Sequence, residues 1–253
     1  MKIVGDYHTH SKYSKFRHGK NTIAEMVESA KTKGLKFLAI TDHGPKHIPF
    51  GIRPKNIDKA RCEIDEINNS QNGIKVYLGI EANLISKSGG IDLKQEQIDK
   101  LDILLVGFHR LALSDFVSLF NLRSDKPALV EKQTQAYINL VHRYDVDIIT
   151  HPCEYILVDC KRLAEACAET DTLIELNNRH FRFTPEQMRD MLQTNCKFII
   201  SSDSHSKDNI ANVSLALEMA KIYNIPEERI VNLRDDYLPK RLRGKNGRDN
   251  AQV

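Results

Sequence analysis

Seven short apolar runs punctuate the chain: KIVGDYH, LKFLAITDH, KVYLGIEA, DILLVGFH, VDIITH, TLIELNN and KFIISSDSH. Their length and their Val, Ile and Phe enrichment predict strands buried on both faces, as in parallel sheets. Between them lie helix signals. Thr22, followed three residues on by Glu25, is a capping box opening a helix that ends at Gly34. Thr184-Pro185-Glu186-Gln187 joins an N-cap, a proline at the first helical position and a glutamine at the third. Segments near 54–69, 128–144, 159–169 and 209–223 carry an apolar period of 3.6, while the stretch from Ile85 to Leu101 offers only a short helix. Strand and helix alternating seven times predict an α/β barrel, with an open doubly wound sheet as the alternative.

The C-terminal residues of these runs are chemically alike. His8 and His10 close the first, Asp42 and His43 the second, Glu81 the third, His109 the fourth, His151 the fifth, Asp203 and His205 the seventh. His18 follows in the first loop, so three of the ten histidines fall within eleven residues. In a parallel barrel the C-terminal strand ends converge on one face, where sites are built. A single histidine there is commonly a satisfied polar residue; imidazoles and carboxylates on run after run predict a metal centre. Strand parity puts His8 and His10 on one face with Asp6, and Ser201 on one face with Asp203 and His205. Asp6, one step deeper, is expected to accept a ring N–H and fix a histidine tautomer. The nine candidate ligands are His8, His10, His18, His43, Glu81, His109, His151, Asp203 and His205. At about three protein ligands per catalytic zinc, they suit three ions with a bridging carboxylate. Nitrogen and oxygen donors accommodate zinc, manganese or iron. Cys153 reads as a buried bystander, His142 as a surface residue, and His47 and His180 as loop residues near the mouth without a ligand role.

Length and composition set the frame. The 253 residues allow one large domain or two small ones. The sequence has no linker that would split it, so residues 1–239 read as a single barrel domain. Lys240, Arg241, Arg243, Lys245 and Arg248 against Asp249 concentrate the net charge of +3 in the last fourteen residues, which read as a polar, fraying tail. The remainder is close to neutral and implies no basic face for nucleic acid. No run approaches the roughly 18 apolar residues of a membrane span. The first strand leaves no room for a signal peptide, and five cysteines without a CxxC pair read as reduced thiols of a cytoplasmic protein.

The motifs as a set resemble the PHP family (polymerase and histidinol phosphatase). They are His-x-His after strand one, Thr-Asp-His-Gly, Gly-Ile-Glu-Ala, Gly-Phe-His, Thr-His-Pro and Ser-Asp-Ser-His, and they cover nearly the whole chain to about residue 235. Within the family the chain is most similar to the small stand-alone YcdX-like phosphatases, which implies a distorted seven-stranded (β/α)7 barrel and three zinc ions. The resemblance implies one metal on His8, His10, Glu81 and Asp203, and a second on His18, His43 and His205. It implies a third on His109 and His151, with Glu81 bridging. Two stretches depart from that branch. The loop from Ser11 to Arg17 is longer, and RLALSDFVSLFNLRSDKP at 110–127 is an expansion open to three readings: lid, oligomer contact or surface helix.

Clustered divalent ions do specific work on phosphate esters: they generate hydroxide, orient the ester and neutralise developing charge. The expected activity is therefore hydrolysis of a small phosphorylated metabolite or nucleotide by a metal-dependent phosphatase. Histidinol-phosphate phosphatase, a phosphodiesterase or exonuclease, and a non-catalytic metal-binding module stand as alternatives. Glu175 and Asn177 share a face on strand six, and the chain then leaves at the metal end through Arg179 and Arg182; Arg110 follows His109 directly. Guanidinium groups fork onto phosphate oxygens, so Arg110, Arg179 and Arg182 are the expected substrate-binding residues. The general acid for the leaving group is left unassigned.

Overall fold

The computed structural model describes residues 1–70, 73–115 and 122–243. Seven strands, β1 (Gly5–Asp6), β2 (Phe37–His43), β3 (Lys75–Asn83), β4 (Ile103–Gly107), β5 (Ile148–Ile149), β6 (Leu173–Asn177) and β7 (Lys197–Ser201), pair in sequential order. Every neighbouring pair is parallel. The helices are α1 (Ile23–Thr32), α2 (Pro54–Asn69), α3 (Gln95–Ile98), α4 (Pro127–Arg143), α5 (Cys160–Glu169), α6 (Pro185–Leu192) and α7 (Ser214–Ile222). The capping boxes at Thr22 and Thr184 form as the sequence predicts, and Gly34 follows α1 with φ +75. The link before β4 holds only the four residues of α3.

Strand residues alternate between two cores. Leu38, Ile40, Val76, Leu78, Leu104 and Val106 face the helices, in the larger cluster. Tyr7, Ala39, Tyr77, Ile103, Leu105, Ile148, Leu173 and Ile199 fill the axis of the barrel. Continued toward the C-terminal ends, the inner rows run from Ala39 to Thr41 and His43, from Tyr77 to Gly79 and Glu81, and from Ile199 to Ser201, with Asp203 past the end of β7. The two-residue period thus delivers the polar groups to the mouth on top of an apolar plug. A Cβ at Gly79 would stand 2.7 Å from Ile103 Cγ2 and 2.8 Å from Thr41 Cγ2, so only glycine fits at that level of the interior.

The barrel nearly closes between β1 and β7. Past the strand ends, Thr9 and Ser204 form a parallel bridge, with His10 N–H donating to Ser204 O at 2.7 Å. Lower down, Asn232 fills the seam: its amide donates to Gly5 O and Ile200 O and accepts from Ile200 N at 2.7–3.0 Å.

Three expectations are corrected. Strand β1 is only two residues long, so the parity that grouped Asp6 with His8 fails: Tyr7 joins the inner cluster, and the chain leaves the ladder before His8. The helix expected from 209 begins at Ser214, because Ala211 takes φ +57 and its N–H donates to Asp6. Lys240–Arg243, read as part of a fraying tail, are docked: Lys240 N donates to Asp147 Oδ1 at 2.7 Å, and Arg243 pairs with Asp171 at 2.7 Å. The rest of that tail lies outside the described residues, as do 116–121 of the expansion. Among the expansion's described residues, Ala112 is bridged antiparallel to His47 and Pro127 opens α4.

Candidate metal centre

Glu81 stands at the centre of the mouth, fully buried. Its two oxygens face different histidines. Oε2 lies 2.8 Å from His43 Nδ1, 3.2 Å from His8 Nε2 and 3.6 Å from His10 Nε2. Oε1 lies 2.8 Å from His151 Nε2 and 3.2 Å from His109 Nε2, and accepts from Thr150 Oγ1 at 2.9 Å. Asp203 Oδ1 lies 3.4 Å from His10 Nε2, 3.5 Å from His205 Nδ1 and 3.8 Å from His8 Nε2. Burial would push the Glu81 carboxyl up, but the His8, His109 and His43 rings hold it well below the usual carboxylate range. Asp203 is likewise held low against burial, by His8 and His10. Burial keeps His10 and His43 well below the ordinary imidazole value, hence neutral. His8 and His151 are instead raised, against burial, by Glu81, Glu175 and Asp203, so a cation bound there would displace their protons. Carboxylates ringed by imidazoles make a donor set that suits a divalent cation.

The residues fit such ions on a second ground. His43 Nδ1 and Glu81 Oε2, 2.8 Å apart, and His109 Nε2, 3.2 Å from Glu81 Oε1, are buried and close yet make no aligned hydrogen bond. A cluster of orphaned lone-pair donors in the interior costs free energy unless something binds it. Ligand atoms converge within 4.8 Å of one another in three groups: His8 with His10 and Asp203, His10 with His43 and His205, and His43 with Glu81 and His109.

Two expected ligands lie outside these groups: His151, whose Nε2 is 2.8 Å from Glu81 Oε1, and His18, which is placed beside them. The His18 ring stacks on Phe50 at 3.7 Å between centroids, 4.2 Å from the His205 ring and 5.2 Å from that of His43. The loop that carries it turns through Phe16 and Arg17 at φ +53 and +56. It is tied down by Asp42, whose carboxylate accepts from Ser11 N, Ser11 Oγ and Ser14 Oγ. Cys153 turns its Sγ toward Cys160, 3.5 Å away, and not toward the cluster. His142 is exposed on α4 beside Glu169.

Asp6 does not accept from any histidine ring: its carboxylate takes Ser202 N, Ser202 Oγ and Ala211 N. Groups without an expected role touch the rings instead. Glu175 Oε1 accepts from His8 Nδ1 at 2.7 Å. Asn83 Oδ1 accepts from His109 Nδ1 at 2.8 Å, and Asn83 is held in turn by Asp92. The alternation on β6 was the one available signal for Glu175; none linked Asn83 to Asp92.

The three arginines differ. Arg179 reaches the cluster edge, where Nη1 contacts His205 Nδ1 and donates to Asp203 O at 3.2 Å. Arg182 is paired with Glu154 Oε2 at 2.6 Å, and Glu154 Oε1 lies 3.3 Å from His180 Nδ1. Arg110 is exposed at the start of the loop after β4. His47, read as a loop residue, is buried, with its ring 4.6 Å from that of His43.

Comparison with known proteins agrees with this geometry. Residues 6–205 match the PHP domain. A protein of Acetivibrio thermocellus named "Probable phosphatase" is 29% identical over 95% of this chain and 97% of its own length. One of the same name from Shewanella sediminis is 31% identical over 92% and 90%. The crystal structure of histidinol phosphate phosphatase from Lactococcus lactis subsp. lactis, complexed with zinc, L-histidinol and phosphate, shares the fold with a TM-score of 0.59. It is 16% identical, covering 88% of this chain and 93% of that one. By the span of the domain match and the identity to full-length relatives, the chain belongs to the PHP family.

Proposed function

We propose that the protein is a metal-dependent phosphatase that hydrolyses a small phosphorylated metabolite or nucleotide at a trinuclear centre, with zinc the favoured ion and manganese or iron the alternatives. The observation that carries this reading is the split environment of Glu81, whose oxygens face His8, His10 and His43 on one side and His109 and His151 on the other. One ion would be held by His8, His10, Glu81 and Asp203, a second by His18, His43 and His205, and a third by His109, His151 and Glu81. Divalent ions, when bound, supply a nucleophile from water near neutral pH and neutralise charge on phosphoryl oxygens.

The chain's own contribution is donor placement and substrate grip. Arg179 projects a half-exposed guanidinium at the cluster edge, suited to forking onto a phosphate oxygen as the ester arrives. Arg182 acts one step back: by pairing with Glu154 it fixes the wall beside His180. Arg110 stands at the rim as a third cation.

The test is phosphate release by purified protein from a panel of phosphomonoesters, before and after metal stripping. L-Histidinol phosphate belongs on that panel, because the fold neighbour from Lactococcus was solved with L-histidinol and phosphate. Expected is turnover that a chelator abolishes and added zinc or manganese restores. Activity confined to a diester such as bis(p-nitrophenyl) phosphate would favour the phosphodiesterase reading, and tight metal binding without turnover of either ester the non-catalytic one.

A further inference from the structure

Strand β6 ends without any of the proposed ligands, yet it places a carboxylate with no exposure at all beneath them. Each oxygen of Glu175 has a separate task. Oε1 accepts from the His8 ring at Nδ1, 2.7 Å away. Oε2 accepts from the backbone N–H of His151 at 2.7 Å and from Asn177 Nδ2 at 2.9 Å. Resting on the ligand reading above, we propose that Glu175 is a positioning residue. It sets the tautomer of His8 and the backbone conformation of His151, and so couples ligands from two sides of Glu81.

Take His8 first. An imidazole that ligates a cation keeps a single N–H, and a carboxylate can only accept. The Glu175 contact therefore keeps the proton on Nδ1 and leaves a lone pair on Nε2, the nitrogen 3.2 Å from Glu81 and 3.8 Å from Asp203. A carboxylate behind a histidine also raises its basicity toward a cation. His151 is constrained through its main chain. Its φ is +29, a region that non-glycine residues enter only when the surroundings hold them there. The hydrogen bond that the His151 N–H donates to Glu175 is such a hold, and in that conformation the ring reaches Glu81 Oε1 at 2.8 Å. Asn177 extends the arrangement. Its amide donates to Asp203 Oδ2 at 3.3 Å as well as to Glu175, while its Oδ1 accepts from Arg179 N and His180 N. The strand without proposed ligands thus touches those that follow β1, β5 and β7 and the base of the arginine loop.

Glu175→Gln isolates the effect. With the amide oxygen on His8, the –NH2 faces the His151 N–H, donor against donor. With the amide turned over, the –NH2 must donate to Nδ1, which moves the ring proton to Nε2 and removes the lone pair. Either arrangement misplaces one ligand. Purified Glu175→Gln should carry fewer metal equivalents than wild type by elemental analysis. Its zinc affinity in chelator competition should fall about 10- to 100-fold, with kcat reduced, KM nearly unchanged and part of kcat recovered in excess zinc. A merely structural lesion would not respond to zinc. His8→Ala is measured beside it. Full metal content in His8→Ala would sink the ligand reading, whereas metal loss there with wild-type zinc affinity in Glu175→Gln would overturn the positioning role alone. Should the glutamine variant fail to fold, the zinc-loaded wild type labelled with 15N-histidine still decides. A His8 ring protonated at Nδ1, with that proton shifted by a carboxylate acceptor, supports the proposal, and one protonated at Nε2 overturns it.

Discussion

The proposed centre divides its chemistry between groups that would offer lone pairs and groups that would aim them. His151 is of the first kind: its Nε2 stands 2.8 Å from Glu81, and the barrel core does not rest on its ring. His151→Ala should therefore lose about one metal equivalent while the protein stays folded, in keeping with zinc sites built from few ligands; unchanged stoichiometry by elemental analysis would remove it from the ligand set. The arginines separate in the same way. Arg179→Ala should leave metal content intact and lower kcat/KM about 10-fold or more, a loss of at least one charge-assisted hydrogen bond to substrate. Arg182→Ala should cost less, because its guanidinium is held by Glu154. Steady-state kinetics on both variants check the order, and a larger effect at Arg182 would reverse the assignment. The candidate histidines were legible in the sequence because they are few and fall at run ends, and Glu81 and Asp203 because they end runs of the same kind. The aiming groups were not, since Asn83, Asp92 and Glu175 are common residue types whose partners are fixed only by folding.

At the level of elements, the mouth depends on how closely neighbouring strands approach. Gly107 ends β4 opposite Thr150, and a Cβ there would stand 2.3 Å from Thr150 Oγ1 and 3.1 Å from His151 Cε1. Thr150 donates to Glu81 Oε1, so Gly107→Ala should disturb the centre and the packing together. The expected cost is about 1–3 kcal/mol by overpacking, with a fall in bound metal; thermal melting and metal analysis would register both, and wild-type values in each would show that the strands can part freely. The helices were readable where capping supplied a local signal, as at Thr22 and Thr184. The start of α7 was not, because a long-range bond from Ala211 N to Asp6 Oδ2 overrides the local apolar period.

For the molecule as a whole, stability depends on two places where the barrel is incomplete. At the seam, Asn232 bonds to β1 and β7 at once, so Asn232→Ala would leave Gly5 O and the Ile200 N–H and carbonyl without that partner. A loss of about 1–3 kcal/mol is expected from orphaned buried groups; denaturant unfolding measures it, and a loss below about 0.5 kcal/mol would show that water or a neighbour replaces the amide. At the floor, Tyr237 meets Tyr7 edge-on at 5.3 Å, and Lys240 N donates to Asp147. Burial pushes the Asp147 carboxyl up to about 6, against the pull of hydrogen bonds from Leu104 and Lys240. An acid whose folded value lies above its unfolded one binds more protons in the native state. Its contribution to stability therefore declines as pH rises between about 4 and 6, and is level above. In metal-stripped protein, the stability of wild type relative to Asp147→Asn should fall across that window. A flat difference in urea unfolding at pH 4, 5, 6 and 7 would contradict it. No helix among the described residues is long and apolar enough to cross a membrane.

The sequence by itself determined the class of fold and the identity of the candidate donors. Both are written in local terms: apolar runs of strand length, capping residues between them, and imidazoles and carboxylates where the runs end. Only the tertiary structure decided which carboxylate stands behind which ring. The two-residue ladder of β1 ends before His8, which takes Asp6 out of the site, and the parallel order of the sheet brings Glu175, 167 positions away, to the His8 ring instead. Strand parity carries information only as far as the ladder that enforces it. Beyond that point, the direction of a side chain is set by contacts that no local pattern contains.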